Sequence, residues 1–151
     1  MKEMYHKYPS LMEQVVRRQN IDYAVQAVKR NKGAAGIDNM TVNEIEAHID
    51  KYFVPLREKL LNGTYKPQPV KRVEIPKPNG KVRKLGIPVV RDRVIQQAIR
   101  QVIEPLIDPH FMASSHGFRP NKGTHSALKQ CVSYYEEGYR VVIDCDLKEC
   151  F

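Results

Sequence analysis

At 151 residues the chain has room for one ordinary hydrophobic core and too little for two. A composition of 42% hydrophobic and 28% charged residues excludes a disordered chain, and no apolar run approaches the roughly 18 residues that cross a bilayer. The net charge of +8 is concentrated: between Lys66 and Arg93 nine basic residues face only Glu74 and Asp92, so this stretch holds seven of the eight excess charges. A positive field gathered in one segment most commonly meets a phosphate backbone. The opening MKEMYHKYPSLMEQ has no apolar stretch of the kind a secretory signal needs. Three cysteines, Cys131, Cys145 and Cys150, form no C-x-x-C pair and are expected to be reduced thiols of a cytosolic protein.

In chain order, Ser10 to about Lys32 reads as one helix, with Leu11, Val15, Ala24, Ala27 and Val28 near helical spacing. Gly33-Ala-Ala-Gly36 breaks it. Thr41-Val-Asn-Glu44 has the spacing of a capping box, opening a helix whose apolar stripe is Val42, Ile45, Ile49, Phe53, Leu56 and Leu60; Asn62-Gly63 stops it. Pro67, Pro69, Pro76 and Pro78 exclude a helix over the next stretch. Val70–Pro76 and Lys81–Ile87 read as strands joined by a tight Asn79-Gly80 turn, a basic β-hairpin. Arg91–Ile107 is a helix with an inward stripe of Val94, Ile95, Ala98, Ile99, Val102, Ile103 and Leu106. Met112–Lys122 is a loop. Thr124–Glu137 is a further helix with Ala127, Leu128, Cys131, Val132 and Tyr135 inward, and Tyr139–Leu147 is a strand.

Three constellations carry chemistry. In the hairpin, Lys77 and Arg83 flank the turn on facing strands, placed to converge on one anionic group such as a triphosphate or a template phosphate. Lys71, Arg72, Lys81, Lys84, Arg91 and Arg93 extend the positive surface along a nucleic-acid backbone. In the loop S-S-H-G-F-R-P-N-K-G, Arg119 and Lys122 bring charge, Ser115 and Asn121 hydrogen bonds, and Phe118 is expected to pack inward beneath the loop rather than stack on a base. His116 and His125 have no cysteine or acid at ligand spacing and read as structural or backbone-contacting. The third constellation is Val141-Val-Ile-Asp-Cys-Asp146, acids at a strand end, where hard carboxylate oxygens suit Mg²⁺ in phosphoryl transfer; a helix N-cap is the structural alternative. Asp144 and Asp146 share a face by strand alternation, so spacing does not choose between them.

From Asn31 to Phe151 the chain resembles the reverse transcriptases, or maturases, encoded by bacterial group II introns. N-K-G-A-A-G-I-D (Asn31–Asp38) is similar to the family's N-terminal extension block. I-P-K-P-N-G-K-V-R-K-L-G-I-P with D-R-V-I-Q-Q-A-I is similar to its first reverse-transcriptase block. S-S-H-G-F-R-P-N-K-G-T-H-S-A-L resembles the second, and V-V-I-D-C-D-L-K-E-C-F the start of the third. Lys84 and His116 stand where proline and tyrosine are common in the family.

The resemblance implies an α+β fold: an N-terminal helix (1–32), the extension block and its helix (33–69), a mainly helical fingers region with the basic hairpin (70–138), and the start of the palm (139–151). It implies RNA-directed DNA polymerase activity for the longer protein of which this chain is expected to be a piece, cut before the catalytic centre is complete. Asp146 would be the first of three carboxylates holding Mg²⁺; the family's Tyr-Ala-Asp-Asp segment does not occur in this sequence. Lys77 and Arg83 would meet the incoming dNTP. The extension block and the Gly117–Lys122 loop would hold the RNA template and primer and the intron RNA, with DNA as product. Location in the bacterial cytoplasm, no membrane and a homodimer through the unpaired palm strand are further expectations. The alternatives are a self-sufficient, non-catalytic RNA-binding module and a piece of a retron or diversity-generating reverse transcriptase.

Overall fold

The computed structural model describes residues 10–76, 78, 80 and 82–145. The layout is α+β, with five helices and one two-stranded antiparallel sheet among the described residues. Two compact units are resolved, Met1–Leu106 and Ile107–Phe151.

The first unit contains the core. The single N-terminal helix expected from periodicity is two: α1 (Leu11–Val15) and α2 (Arg18–Arg30), separated by Val16 and an extended Arg17. At about 100° per residue, an unbroken helix would turn Val15 away from Ala24 and Val28. The break lets Val15, Val16, Ile21, Ala24, Val25 and Val28 all enter the core. Asn20 holds it in place: its amide donates to the carbonyls of Val15 (2.9 Å) and Ala98 (3.1 Å), and Gln101 donates back to its Oδ1 (2.8 Å). A capping box does open α1, at Ser10 and Glu13.

Helix α3 (Ile45–Leu61) begins after the Thr41–Glu44 turn rather than at it. Glu44 accepts from the Thr41 amide (2.8 Å) and hydroxyl (2.6 Å), so the hydroxyl donates to the carboxylate instead of capping a backbone amide. The expected stripe is inward: Ile45, Ile49, Leu56 and Leu60 are buried, and Val42 and Phe53 pack against them. Gly63, with φ of +66°, ends the helix. Helix α4 (Val90–Ile107) closes the core with Val90, Val94, Ile95 and Ala98, while Leu106 at its far end is exposed.

Between α3 and α4 stands the hairpin, β1 (Lys71–Pro76) and β2 (Val82–Ile87). Its register pairs Ile75 with Arg83 and Pro76 with Val82. A two-residue turn at Asn79-Gly80 would instead pair Ile75 with Lys84, so the connection is longer than the Asn-Gly signal suggested. The physical reason is Pro78: it would flank such a turn, and it lacks the N–H that must donate across it. Gly80 keeps a positive φ of +76°.

The second unit holds a 3-10 turn (Asp108–His110) and helix α5 (Thr124–Glu136). Helix α5 lies where the periodicity placed it, but its apolar side is not inward: Leu128, Cys131, Val132 and Tyr135 are exposed. The strand expected from Tyr139 does not form over the described residues through Cys145, and Val141, Val142 and Ile143 are 84–91% exposed. A strand needs a neighbour to complete its ladder, and β1 and β2 are paired with each other.

Candidate nucleic-acid interface

Cross-strand partners share a face of a ladder, and successive residues alternate. The register therefore puts Lys71 and Arg83 on one face of the hairpin, with Val73, Ile75, Leu85 and Ile87. Arg72 and Lys84 lie on the other, with Glu74 directly opposite Lys84. Val73, Leu85 and Ile87 are half-buried, whereas Arg83, nearer the tip, is exposed. All four cations are exposed. No single anionic group can engage both sides, so the hairpin offers two separate positive surfaces. Lys77 and Lys81 lie outside the described residues.

Arg91 and Arg93 sit differently from the hairpin cations. Arg91 is half-buried, its guanidinium 5.7 Å from the Tyr65 ring and its Nε donating to the Tyr65 hydroxyl (3.3 Å). Arg93 donates to the carbonyl of Ala34 (2.5 Å) and fills the space that a Cβ on Gly33 would need. The Gly33–Gly36 block is thus packed onto the start of α4 rather than free at the surface. Sequence reasoning gave no function to Asp92, the one buried charged side chain among the described residues. Its carboxylate accepts from the Tyr65 hydroxyl and from the Gln68 amide (2.8 Å). Burial and the hydrogen bond to Asp92 together push the Tyr65 hydroxyl up to about 12. Its place as one of only two acids in a run of nine cations was the signal available for it.

In the Asp108–Gly123 loop, Arg119 engages all five of its donors. Its Nε and Nη2 bind the Asp108 carboxylate (2.8 and 3.3 Å), Nη2 also reaches the Asp108 carbonyl (2.9 Å), and Nη1 reaches the carbonyls of Met112 (2.8 Å) and Ser115 (3.2 Å). Its ordinary high pKa is raised further by that carboxylate. The guanidinium therefore frames the loop and has no donor left for a phosphate. Lys122 donates to the Ala113 carbonyl, and His116 hydrogen-bonds through Nδ1 to Ser126 (2.9 Å). Ser115 is half-buried, whereas Asn121 is exposed with φ of +57°. Phe118 corrects the inward expectation: it is fully exposed, at 105%, with a left-handed φ of +55°. A loop already held by one guanidinium leaves the ring nothing to cover.

Among the described residues no three His, Cys, Asp or Glu side chains gather as metal ligands. Asp144 is exposed, and Asp146, the expected catalytic carboxylate, lies outside the described residues. No helix among the described residues is long and apolar enough to cross a membrane.

The hairpin thus exposes cations on both of its faces, whereas the guanidinium of Arg119 is engaged by its own loop. A family profile described as reverse transcriptase (RNA-dependent DNA polymerase) matches residues 75–151. Curated relatives include protein YkfC of Escherichia coli, 38% identical over 134 residues that cover 85% of this chain and 35% of the relative. The group II intron-encoded protein LtrA of Lactococcus lactis is 40% identical over 131 residues, 85% of this chain and 21% of its own. A putative COX1/OXI3 intron 1 protein of Saccharomyces cerevisiae is 32% identical over 136 residues, 87% of this chain and 16% of its own. The chain belongs to the reverse transcriptase family, in its group II intron-encoded branch. It spans about a third or less of the length of these relatives.

Proposed function

We propose that this chain is the phosphate-gripping front of a group II intron-encoded RNA-directed DNA polymerase and maturase. The observation that carries the reading is the hairpin: four exposed cations on a two-stranded ladder, two on each face, with Arg83 and Lys84 inside the segment that matches the family. In this reading Arg83 and Lys77 meet the triphosphate of an incoming dNTP, a task suited to a guanidinium fork and an ammonium group. Arg72 and Lys84, on the opposite face, follow the backbone of RNA template and primer or of intron RNA, with Lys71 and Lys81 extending the positive surface. The Arg119-framed loop presents Asn121 and backbone groups to RNA, and Ser115 and Lys122 support it.

Asp146 is the residue of this chain that would hold a divalent cation, Mg²⁺ in the family's chemistry, together with carboxylates that this sequence does not contain. When bound, that ion supplies activation of a primer 3′-hydroxyl and charge stabilisation of the pyrophosphate that leaves. With one carboxylate, the chain alone binds RNA and does not extend a primer. The whole protein works beside nucleic acid in the bacterial cytoplasm.

The test is RNA affinity of the purified chain as a function of salt. Binding should weaken steeply with salt, and each of Arg72→Ala, Arg83→Ala and Lys84→Ala should lower the log–log slope by about 0.7 to 0.9 for each phosphate no longer neutralised. Single changes on opposite faces should add. A slope near zero, or one that none of these substitutions alters, overturns the reading.

A further inference from the structure

We infer that Asp92 is a positioning residue that sets the direction of the basic hairpin. The two legs of the hairpin are attached to the body differently. β2 runs through Pro88 and Val89 directly into α4, so the chain itself fixes that leg. The leg entering β1 has no such continuity, and a two-stranded hairpin has too little buried surface to fix its own direction. Asp92, in the first turn of α4, supplies the missing attachment. It accepts the Gln68 amide at 2.8 Å, three residues before β1 begins, and the Tyr65 hydroxyl beside it. Gln68 lies between Pro67 and Pro69, so it carries the one backbone donor of that tripeptide. Arg91 braces the arrangement, its Nε donating to the Tyr65 hydroxyl and lying 3.9 Å from Oδ1 of Asp92.

The chemistry suits a fixed joint. A carboxylate that is only 3% exposed must be hydrogen-bonded to be tolerated, and charged acceptors make the stronger bonds. Both legs thereby converge on one helical turn, and the cations of both faces inherit a defined direction. The functional part of this inference rests on the hairpin binding phosphates, as proposed above.

The decisive variant is Asp92→Asn, because simple electrostatics and positioning predict opposite signs. Removing a negative charge raises the net charge from +8 by one, which alone would tighten binding to RNA. Loosening of the joint should instead weaken binding of a labelled oligouridylate, by on the order of three- to tenfold for the exchange of a charged acceptor for a neutral one. Tyr65→Phe, which changes no charge, should weaken it in the same direction and by less. Residual dipolar couplings give the geometry directly: in the unaltered chain β1, β2 and α4 should fit one alignment tensor. In Asp92→Asn the hairpin couplings should shrink while those of α4 persist. Unchanged couplings with equal or tighter RNA binding would overturn the inference. Should Asp92→Asn fail to fold, Tyr65→Phe decides by the same two measurements. If the unaltered chain binds no RNA, the phosphate reading fails, and the couplings alone judge the joint.

Discussion

Gly36 and Val89 approach so closely that a Cβ placed on Gly36 would fall 2.6 Å from the Val89 Cα and 2.8 Å from its amide nitrogen. Those are backbone atoms, and they cannot swing aside as a side-chain tip can. Gly36→Ala should therefore destabilise the first unit by about 1 to 3 kcal/mol, the usual range for overpacking. Gly33→Ala is the internal comparison, since its nearest neighbour is the Arg93 guanidinium tip at 2.3 Å. It should cost less. Urea unfolding of the two variants side by side measures the difference, and equal losses would mean that the backbone around Val89 relaxes.

The Arg119–Asp108 pair predicts a pH dependence of definite sign. Hydrogen bonds from Arg119 hold the Asp108 carboxyl below the ordinary carboxylate range, and the charges of Arg119 and Lys122 add to this. A folded value below the unfolded one means that ionisation favours the folded loop. That contribution is complete above about pH 4 and disappears as pH falls through the depressed folded value. Hydrogen-exchange protection across Asp108–Gly123 should therefore drop on acidification through that window, and Asp108→Asn should abolish the dependence. Loss of order at the same pH in both proteins would exclude the pair as its cause.

Phe118 tests how the loop is held. A left-handed backbone costs a residue with a Cβ about 1 to 2 kcal/mol, and the exposed ring recovers nothing by packing. Phe118→Leu should change stability by less than about 0.5 kcal/mol, as for an uninvolved surface position. Phe118→Gly should raise it by about 1 kcal/mol or less, because glycine's added unfolded-state freedom offsets part of the relief. Thermal unfolding of the two variants reads both changes. A loss above about 2 kcal/mol in Phe118→Leu would show a packed ring, since only buried or strained positions lose that much.

Most elements were legible because their cause is local. The stripe from Ile45 to Leu60, the stop at Asn62-Gly63 and the two strands of the hairpin follow from spacing and turn chemistry within each segment. What was not legible depended on distant partners. The break at Val16-Arg17 has neither glycine nor proline to mark it, and it is fixed by Asn20 reaching a carbonyl 78 residues away. The Asn-Gly pair promised a tight turn, and Pro78 vetoed it through a missing N–H. Helix α5 was placed correctly, yet periodicity says only which side is apolar, and Leu128, Cys131, Val132 and Tyr135 on that side stay exposed. The same gap explains Val141–Ile143, whose composition is that of a strand but whose ladder has no second member among the described residues. At the site, charge clustering found the exposed hairpin cations and could not distinguish them from Arg93, which donates to the Ala34 carbonyl, or from Arg119, whose donors all serve its own loop.

The register of the ladder decides which cations share a side. A slip of β2 by one residue against β1 would move Arg83 to the side now occupied by Lys84 and exchange every cross-strand neighbour. A slip of two residues would preserve the sides while changing every partner. A residue gained or lost between Pro76 and Val82 therefore leaves the two positive surfaces intact only while Pro76 still faces Val82.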